Sequence, residues 1–306
     1  MTLDEVVLRF KEKPYLLEVD KGKLSKWFKC SPTTITEARK IIRGEVVTPT
    51  KLSKILLFDV ETAPMKAFVW GRWNQNINLE ATISEWFMLC WSAKWLYSNE
   101  VISFRLTAEE AVEEDDYRIV KELWKLIDEA DIVVAYNGKR ADVKWMNTRF
   151  IVHKLNPPKP YFIVDPCEVA RKTFGFSSNK LDALAGYFNI PHKLGTSFEL
   201  WKNCVEGDEE ALEYMSKYCG KDVTLLEEVY LIMRPWIKGH PNVGNLIDSN
   251  IPICSACGSK HLTPIKDKFY YTSVSKYELF RCEDCGAISR GRKNLNKNNK
   301  VVGVAR

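Results

Sequence analysis

The stretch ILLFDVET, residues 55–62, opens with four consecutive apolar side chains, Ile55, Leu56, Leu57 and Phe58. A short apolar run of this kind predicts a strand buried on both faces. It then turns acidic, with Asp59 and Glu61 two residues apart. Side chains alternate along a strand, so both carboxylates point to one face. Further on, WFMLCWSAKWLY (86–97) and VISFRL (101–106) predict two strands joined by a turn at Ser98-Asn99-Glu100, an antiparallel hairpin. DDYRIVKELWKLIDEA (115–130) is an amphipathic helix by its spacing, IVVAY (132–136) a buried strand, ADVKWMNTRFIVHKL (141–155) a helix and YFIVD (161–165) a short strand. A long helical pattern covers 209–236. Strand, hairpin, then alternating helices and strands predict an α/β fold, a mixed sheet flanked by helices.

The two ends have different patterns. LDEVVLRF (3–10) is amphipathic, LSKWFK (24–29) meets a break at Cys30, Ser31 and Pro32, and TTITEARKIIRG (33–44) has a threonine cap and a closing glycine. A short helix, a tight turn and a basic helix predict a small helix-turn-helix-like domain, with a plain helical hairpin as the alternative. Residues beyond 250 are β-rich, punctuated by glycine and basic. The division predicted is therefore 1–48, 52–240 and 250–306.

The chain has 306 residues, 45% of them hydrophobic and 28% charged, as expected of a globular protein with one large and two small parts. Its start, MTLDEVVLRFKEK, is too charged for a signal peptide, and no apolar run approaches the roughly 18 residues of a membrane span. These features predict a cytoplasmic location. The net charge is +5, and its distribution matters more than its size. Lys21, Lys23, Lys26, Lys29, Arg39, Lys40 and Arg43 face only Glu37 in their segment, and no acid occurs after Gly286. Basic ends suit an anionic polymer, though each is also what a solvated surface looks like.

Asp59 and Glu61 repel each other unless a cation lies between them. Two further acids complete a set. NGKRAD brings Asp142 to the start of a helix, where it is either a cap or a ligand. YCGKD places Tyr218 and Asp222 four apart, hence on one helical face. Four carboxylates can hold a pair of hard divalent cations, Mg²⁺ or Mn²⁺, which stabilise the attacking and leaving oxygens of a phosphodiester displacement.

The order DVE, NGKRAD, YCGKD resembles the DEDD superfamily of 3′–5′ exonucleases, in its tyrosine-type branch (DEDDy). The wording is also similar to that of the YprB-like exonucleases of bacteria and their phages. The resemblance covers about residues 52–240 and implies a ribonuclease H-like fold. It implies that Asp59, Glu61, Asp142 and Asp222 hold two catalytic metals and that Tyr218 positions the attacking water. The histidine-type branch carries a histidine five residues before the last aspartate, where this chain has Lys217. Lys180, in SSNKLDALA, is a candidate phosphate contact or an exposed lysine. Trp70 and Trp73 lie in a predicted loop after the first motif and would stack on a terminal base or pack into the core. Four histidines, His153, His192, His240 and His261, form no motif.

Of nine cysteines, Cys30, Cys90, Cys167, Cys204 and Cys219 are scattered and read as buried thiols. CSACG (254–258) and CEDCG (282–286) flank a β-patterned stretch. Two such knuckles, Cys254 with Cys257 and Cys282 with Cys285, predict one tetrahedral structural Zn²⁺ and resemble a zinc ribbon. Arg290 and Arg292 beside it are candidate nucleic-acid contacts.

Taken together, these features predict a two-metal 3′–5′ exonuclease. Its partner would be nucleic acid, single-stranded 3′ ends with DNA favoured over RNA, together with replication or repair proteins and no membrane. A structure-specific endonuclease on the same fold and a non-catalytic DNA-binding regulator are the alternatives.

Overall fold

Strand β1 (Ile55–Thr62) is the middle strand of a five-stranded sheet. The structure, a computed structural model, describes residues 1, 3–30, 35, 36, 38, 39, 42, 43, 53–190, 195–247, 249 and 251–296. The chain divides into a unit of residues 54–241 and a unit of residues 1–53 and 242–306. In the first unit, after the two-residue strand β2 (Lys66–Ala67) and β3 (Thr82–Ser84), β1 pairs antiparallel with β4 (Met88–Trp95). Strand β4 pairs antiparallel with β5 (Ile102–Arg105), the expected hairpin. On its other side β1 runs parallel to β6 (Ile132–Val134), and β6 to β7 (Phe162–Val164). The order is β5-β4-β1-β6-β7, a mixed sheet.

Both faces of this sheet are covered, which is why β4 reads as an apolar run without clean alternation. Register puts Asp59 opposite Ser92 and Glu61 opposite Cys90, while Phe58 faces Ala93 and Val60 faces Trp91. Phe58 and Trp91 pack into the main core; the Trp91 indole N–H donates to the Ile119 carbonyl at 2.7 Å. Ile119 belongs to helix Tyr117–Glu129, whose buried Ile119, Val120, Leu123 and Ile127 recur at helical spacing. The face carrying Asp59, Ser92 and Lys94 meets the helix Glu209–Met233, where Lys94 forms a buried ion pair with Glu227. The second oxygen of Glu227 accepts the Tyr97 backbone N–H at 2.9 Å.

The helix Asp142–Val152 connects β6 to β7. Fully buried Asp116 ties it to the sheet, accepting the Met88 N–H at 2.7 Å, two Arg149 N–H groups at 2.6 Å, and contacting His153 at 2.5 Å. His153 thus has a structural partner, as do His240 beside Tyr230 and His261 beside Asp284. His192 lies outside the described residues.

In the second unit, helices Leu3–Glu12 and Lys21–Phe28 enclose Val6, Val7, Phe10, Leu16 and Leu24. Asp20 caps the latter helix by accepting the Gly22 and Lys23 N–H groups, each at 3.0 Å. Ile35 and Ala38 are helical and buried in the same cluster. The rest of the expected basic helix, with its threonine cap and closing glycine, lies largely outside the described residues. The C-terminal part is an antiparallel sheet of β8 (Leu262–Tyr271), β9 (Lys276–Cys282) and β10 (Ile288–Arg290), in the order β10-β9-β8.

Among the described residues, no helix is long and apolar enough to cross a membrane.

Candidate functional site

The end of β1 delivers Asp59 and Glu61 to one face, and the long helix Glu209–Met233 brings Asp222 to them. One carboxylate oxygen from each of Asp59, Glu61 and Asp222 lies within 4.8 Å of the others. Asp222 is buried, and the other two are half-buried. Three acidic groups this close, with oxygen donors only, suit a hard divalent cation. Asp142 stands outside that tight group but lines the same pocket, together with Tyr218 one helical turn before Asp222. The pocket has a volume of about 780 Å³.

Asp142 is the first residue of its helix, and Ala141 occupies the cap position, so its carboxylate is not serving as the cap. Burial pushes its pKa up to about 6, although backbone hydrogen bonds, among them one with Val60, pull it back. An opposing cation would offset that desolvation. The turn that delivers it depends on two special positions. Asn137 is left-handed at φ 59°, and a Cβ on Gly138 would meet the Ala135 Cβ at 2.3 Å, which is why the stretch reads Asn-Gly.

Buried Asp165 holds this turn in place. Its carboxylate accepts the backbone N–H of Asn137 at 2.9 Å, Lys139 at 3.3 Å, Cys167 at 3.0 Å and Glu168 at 3.3 Å. It thereby caps the helix Pro166–Thr173 and fastens the loop leading to Asp142. The Arg171 guanidinium donates to the Asn137 side-chain oxygen at 3.1 Å, and the Tyr136 hydroxyl to the Asn179 carbonyl at 2.8 Å. Neither Asp165 nor Arg171 was expected from sequence. The available signal was Asp165 directly before Pro166, the usual grammar of a capped helix start.

Lys180 lines the acidic pocket. Trp70 and Trp73 lie in the loop between β2 and β3, highly exposed at 104% and 83%, and outside the lining of that pocket. Arg290 and Arg292 are exposed in the other unit.

Cys254, Cys257, Cys282 and Cys285 come together as a second candidate metal group, all four sulfurs within 4.8 Å. Cys254 and Cys285 sulfurs are 3.6 Å apart, as are those of Cys257 and Cys282. Tetrahedral zinc with bonds of about 2.3 Å sets its sulfurs roughly 3.8 Å apart, so the group fits. Each knuckle closes in the same way. The Gly258 N–H donates to the Cys254 carbonyl at 2.9 Å and the Gly286 N–H to the Cys282 carbonyl at 3.0 Å. Both glycines have φ 78°, which disfavours any residue with a Cβ. Hydrogen bonding within the pair pushes the Cys254 thiol down and the Cys257 thiol up, so the two sulfurs share a proton between them.

A search among curated proteins finds no match. Among solved structures, the family B DNA polymerase from the hyperthermophilic archaeon Pyrobaculum calidifontis is similar at 14% identity with a TM-score of 0.44. The similarity covers 61% of this chain and 26% of the polymerase chain, about a quarter of the latter's length. Residues 77–234 match the RNase_H_2 family, a span that takes in Asp142, Tyr218 and Asp222 and begins after Asp59 and Glu61. That span exceeds half the chain and contains four of the five strands of the mixed sheet, so the chain belongs to the RNase H superfamily.

Proposed function

We propose that this chain is a metal-dependent 3′–5′ exonuclease of the tyrosine type. The observation that carries the reading is the convergence of Asp59, Glu61 and Asp222 within 4.8 Å, in a pocket shared with Asp142 and Tyr218. Membership of the RNase H superfamily supports a nuclease. In this reading Asp59, Glu61 and Asp222 hold one Mg²⁺ or Mn²⁺, and Asp142 completes the site of a second. Bound cations would supply charge neutralisation at the phosphate and a water of lowered pKa.

The chain's own groups do the rest. Tyr218, with a hydroxyl that both donates and accepts, orients the attacking water rather than taking its proton, since a free tyrosine has a pKa of about 10. Lys180 and Arg171, which line the same pocket, offer cations to the backbone of the entering strand. Trp70 and Trp73 stack on unpaired bases near the 3′ end. The substrate is a single-stranded 3′ end, DNA in preference to RNA, in the setting of replication or repair in the cytoplasm. The domains are 1–48, 52–240 and 250–306, the last a zinc ribbon in which Cys254, Cys257, Cys282 and Cys285 hold one structural Zn²⁺.

The test compares a linear single strand bearing a free 3′ hydroxyl with a closed single-stranded circle, both with Mg²⁺. Stepwise shortening of the linear strand and an intact circle are expected. Cleavage of the circle would make the protein an endonuclease, and no cleavage of either would leave the regulator reading.

A further inference from the structure

One face of the C-terminal sheet is assembled from aromatic rings and guanidinium groups. Tyr270 on β8 is the direct cross-strand partner of Tyr277 on β9, so both rings stand on one face. Leu279, two residues beyond Tyr277, pairs with Arg290 on β10, which places Arg290 there as well. Arg281, paired with Ile288, continues the same face. The Arg290 guanidinium lies 4.5 Å from the Tyr277 ring centroid and 5.5 Å from that of Tyr270. The two ring centroids are 6.4 Å apart.

Core packing does not account for this arrangement. The opposite face carries buried Cys282 and Ser289, and the Ser289 hydroxyl is 2.9 Å from that of Ser255 in the first cysteine knuckle. That is the side turned toward the cysteines. The tyrosine face is open to solvent at its rim: Tyr270 is 46% exposed, Arg281 and Arg290 are exposed, and Tyr277 between them is half-buried. Glu278, the acid of β9, pairs with Phe269 and falls on the other face. Between residues 251 and 296 there are eight Lys and Arg against four Asp and Glu, so the surroundings are basic as well.

We propose that Tyr270, Tyr277 and Arg290, with Arg281 at the edge, form a stacking site for the unpaired bases of a single-stranded nucleic acid. Every base has a π-face, so ring stacking is tolerant of sequence, while the guanidinium groups meet the phosphates. The cation–π contacts hold rings and guanidinium in one arrangement before binding, which reduces the ordering cost. The site belongs to a different unit from the acidic pocket and stands whether or not that pocket cleaves.

The experiment titrates full-length protein, with no divalent metal added, into a fluorescein-labelled oligothymidylate and into an abasic oligomer of the same length. Tyr270→Ala combined with Tyr277→Ala is expected to weaken oligothymidylate binding about tenfold. Binding of the abasic oligomer is expected to stay unchanged. Tyr270→Phe with Tyr277→Phe should bind as the parent does. Arg290→Gln should lower the slope of log affinity against log salt by about one. Unchanged zinc content shows that the variants keep their fold; if the double alanine variant loses zinc, the exposed single change Tyr270→Ser carries the comparison. Wild-type affinity in the alanine variant overturns the proposal, as does an equal loss for the abasic oligomer. A protein that binds in this way yet fails to cleave with Mg²⁺ contradicts the nuclease reading alone.

Discussion

The Cys219 thiol lies 3.4 Å from the carbonyl oxygen of Asp59 and 3.6 Å from its carboxylate Oδ2. Burial, with Cys90 beside it, holds the thiol pKa well above its ordinary value, so it stays a neutral donor. The helix that supplies Tyr218 and Asp222 therefore also steadies the first carboxylate of β1. Cys219→Ala should weaken Mn²⁺ binding about tenfold, as loss of a group that orients a ligand does. Cys219→Ser, which restores a donor, should recover most of it. Calorimetric Mn²⁺ titration checks both; equal affinity in all three proteins would leave Cys219 a packing residue.

Asp165 acts at greater distance. Removing its carboxylate strands four backbone N–H groups at once. Asp165→Ala should cost about 2–4 kcal/mol, given net values of about 1.5–3 kcal/mol for a charge-assisted hydrogen bond and the incomplete additivity of shared ones. Asp165→Asn keeps an acceptor and should cost less. Denaturant unfolding measures the difference, and a cost below that of an average surface change would contradict the clamp.

Lys94 and Glu227 form a buried pair between β4 and the long helix. Lys94→Met leaves Glu227 charged and partnerless apart from the Tyr97 N–H, which should cost about 3–5 kcal/mol. Lys94→Met combined with Glu227→Leu removes both charges and should recover most of that loss. Thermal unfolding of these two variants and of Glu227→Leu alone gives the coupling.

Zinc should be present at one ion per chain. The C-terminal sheet contributes a small cluster around the cysteines, so metal removal should unfold it and leave residues 54–241 folded. Cys254→Ser or Cys282→Ser should do the same. Hydrogen exchange by segment, before and after chelation, reads this out; protection persisting beyond residue 250 without zinc would contradict it.

Much of the centre was legible because it rests on local patterns. ILLFDVET reads as a strand with two acids on one face, and Tyr218 and Asp222 share a helical face by spacing alone. The hairpin of β4 and β5 followed from turn residues between apolar runs. What could not be read depends on contacts far apart in sequence. Asp142 looks equivalent to the other acids, yet the fold keeps it outside the tight group of three. Cys90, Cys167, Cys204 and Cys219 are buried as expected, while Cys30 is only half-buried, and nothing local distinguishes Cys219 as the donor to Asp59. Asp165 reads as an ordinary helix cap, and its hold on the Asn137 turn appears only when β6 and β7 lie side by side.

In the proposed function, the carboxylates gathered by β1 and the long helix carry out phosphodiester hydrolysis at a 3′ end. The most direct measurement follows a 5′-labelled single strand with excess Mg²⁺ in the parent protein, Asp59→Ala, Glu61→Ala, Asp142→Ala, Asp222→Ala and Tyr218→Phe. The parent should release one nucleotide at a time and stop with EDTA. Each alanine variant, still folded, should lose activity by at least about 10²-fold, the scale for removing one stabilising group in an active centre. Tyr218→Phe, which keeps every carboxylate, should retain more than the alanine variants, with a loss of up to about 10²-fold. Parent-level cleavage by Asp59→Ala or Asp222→Ala would contradict a catalytic role for these carboxylates.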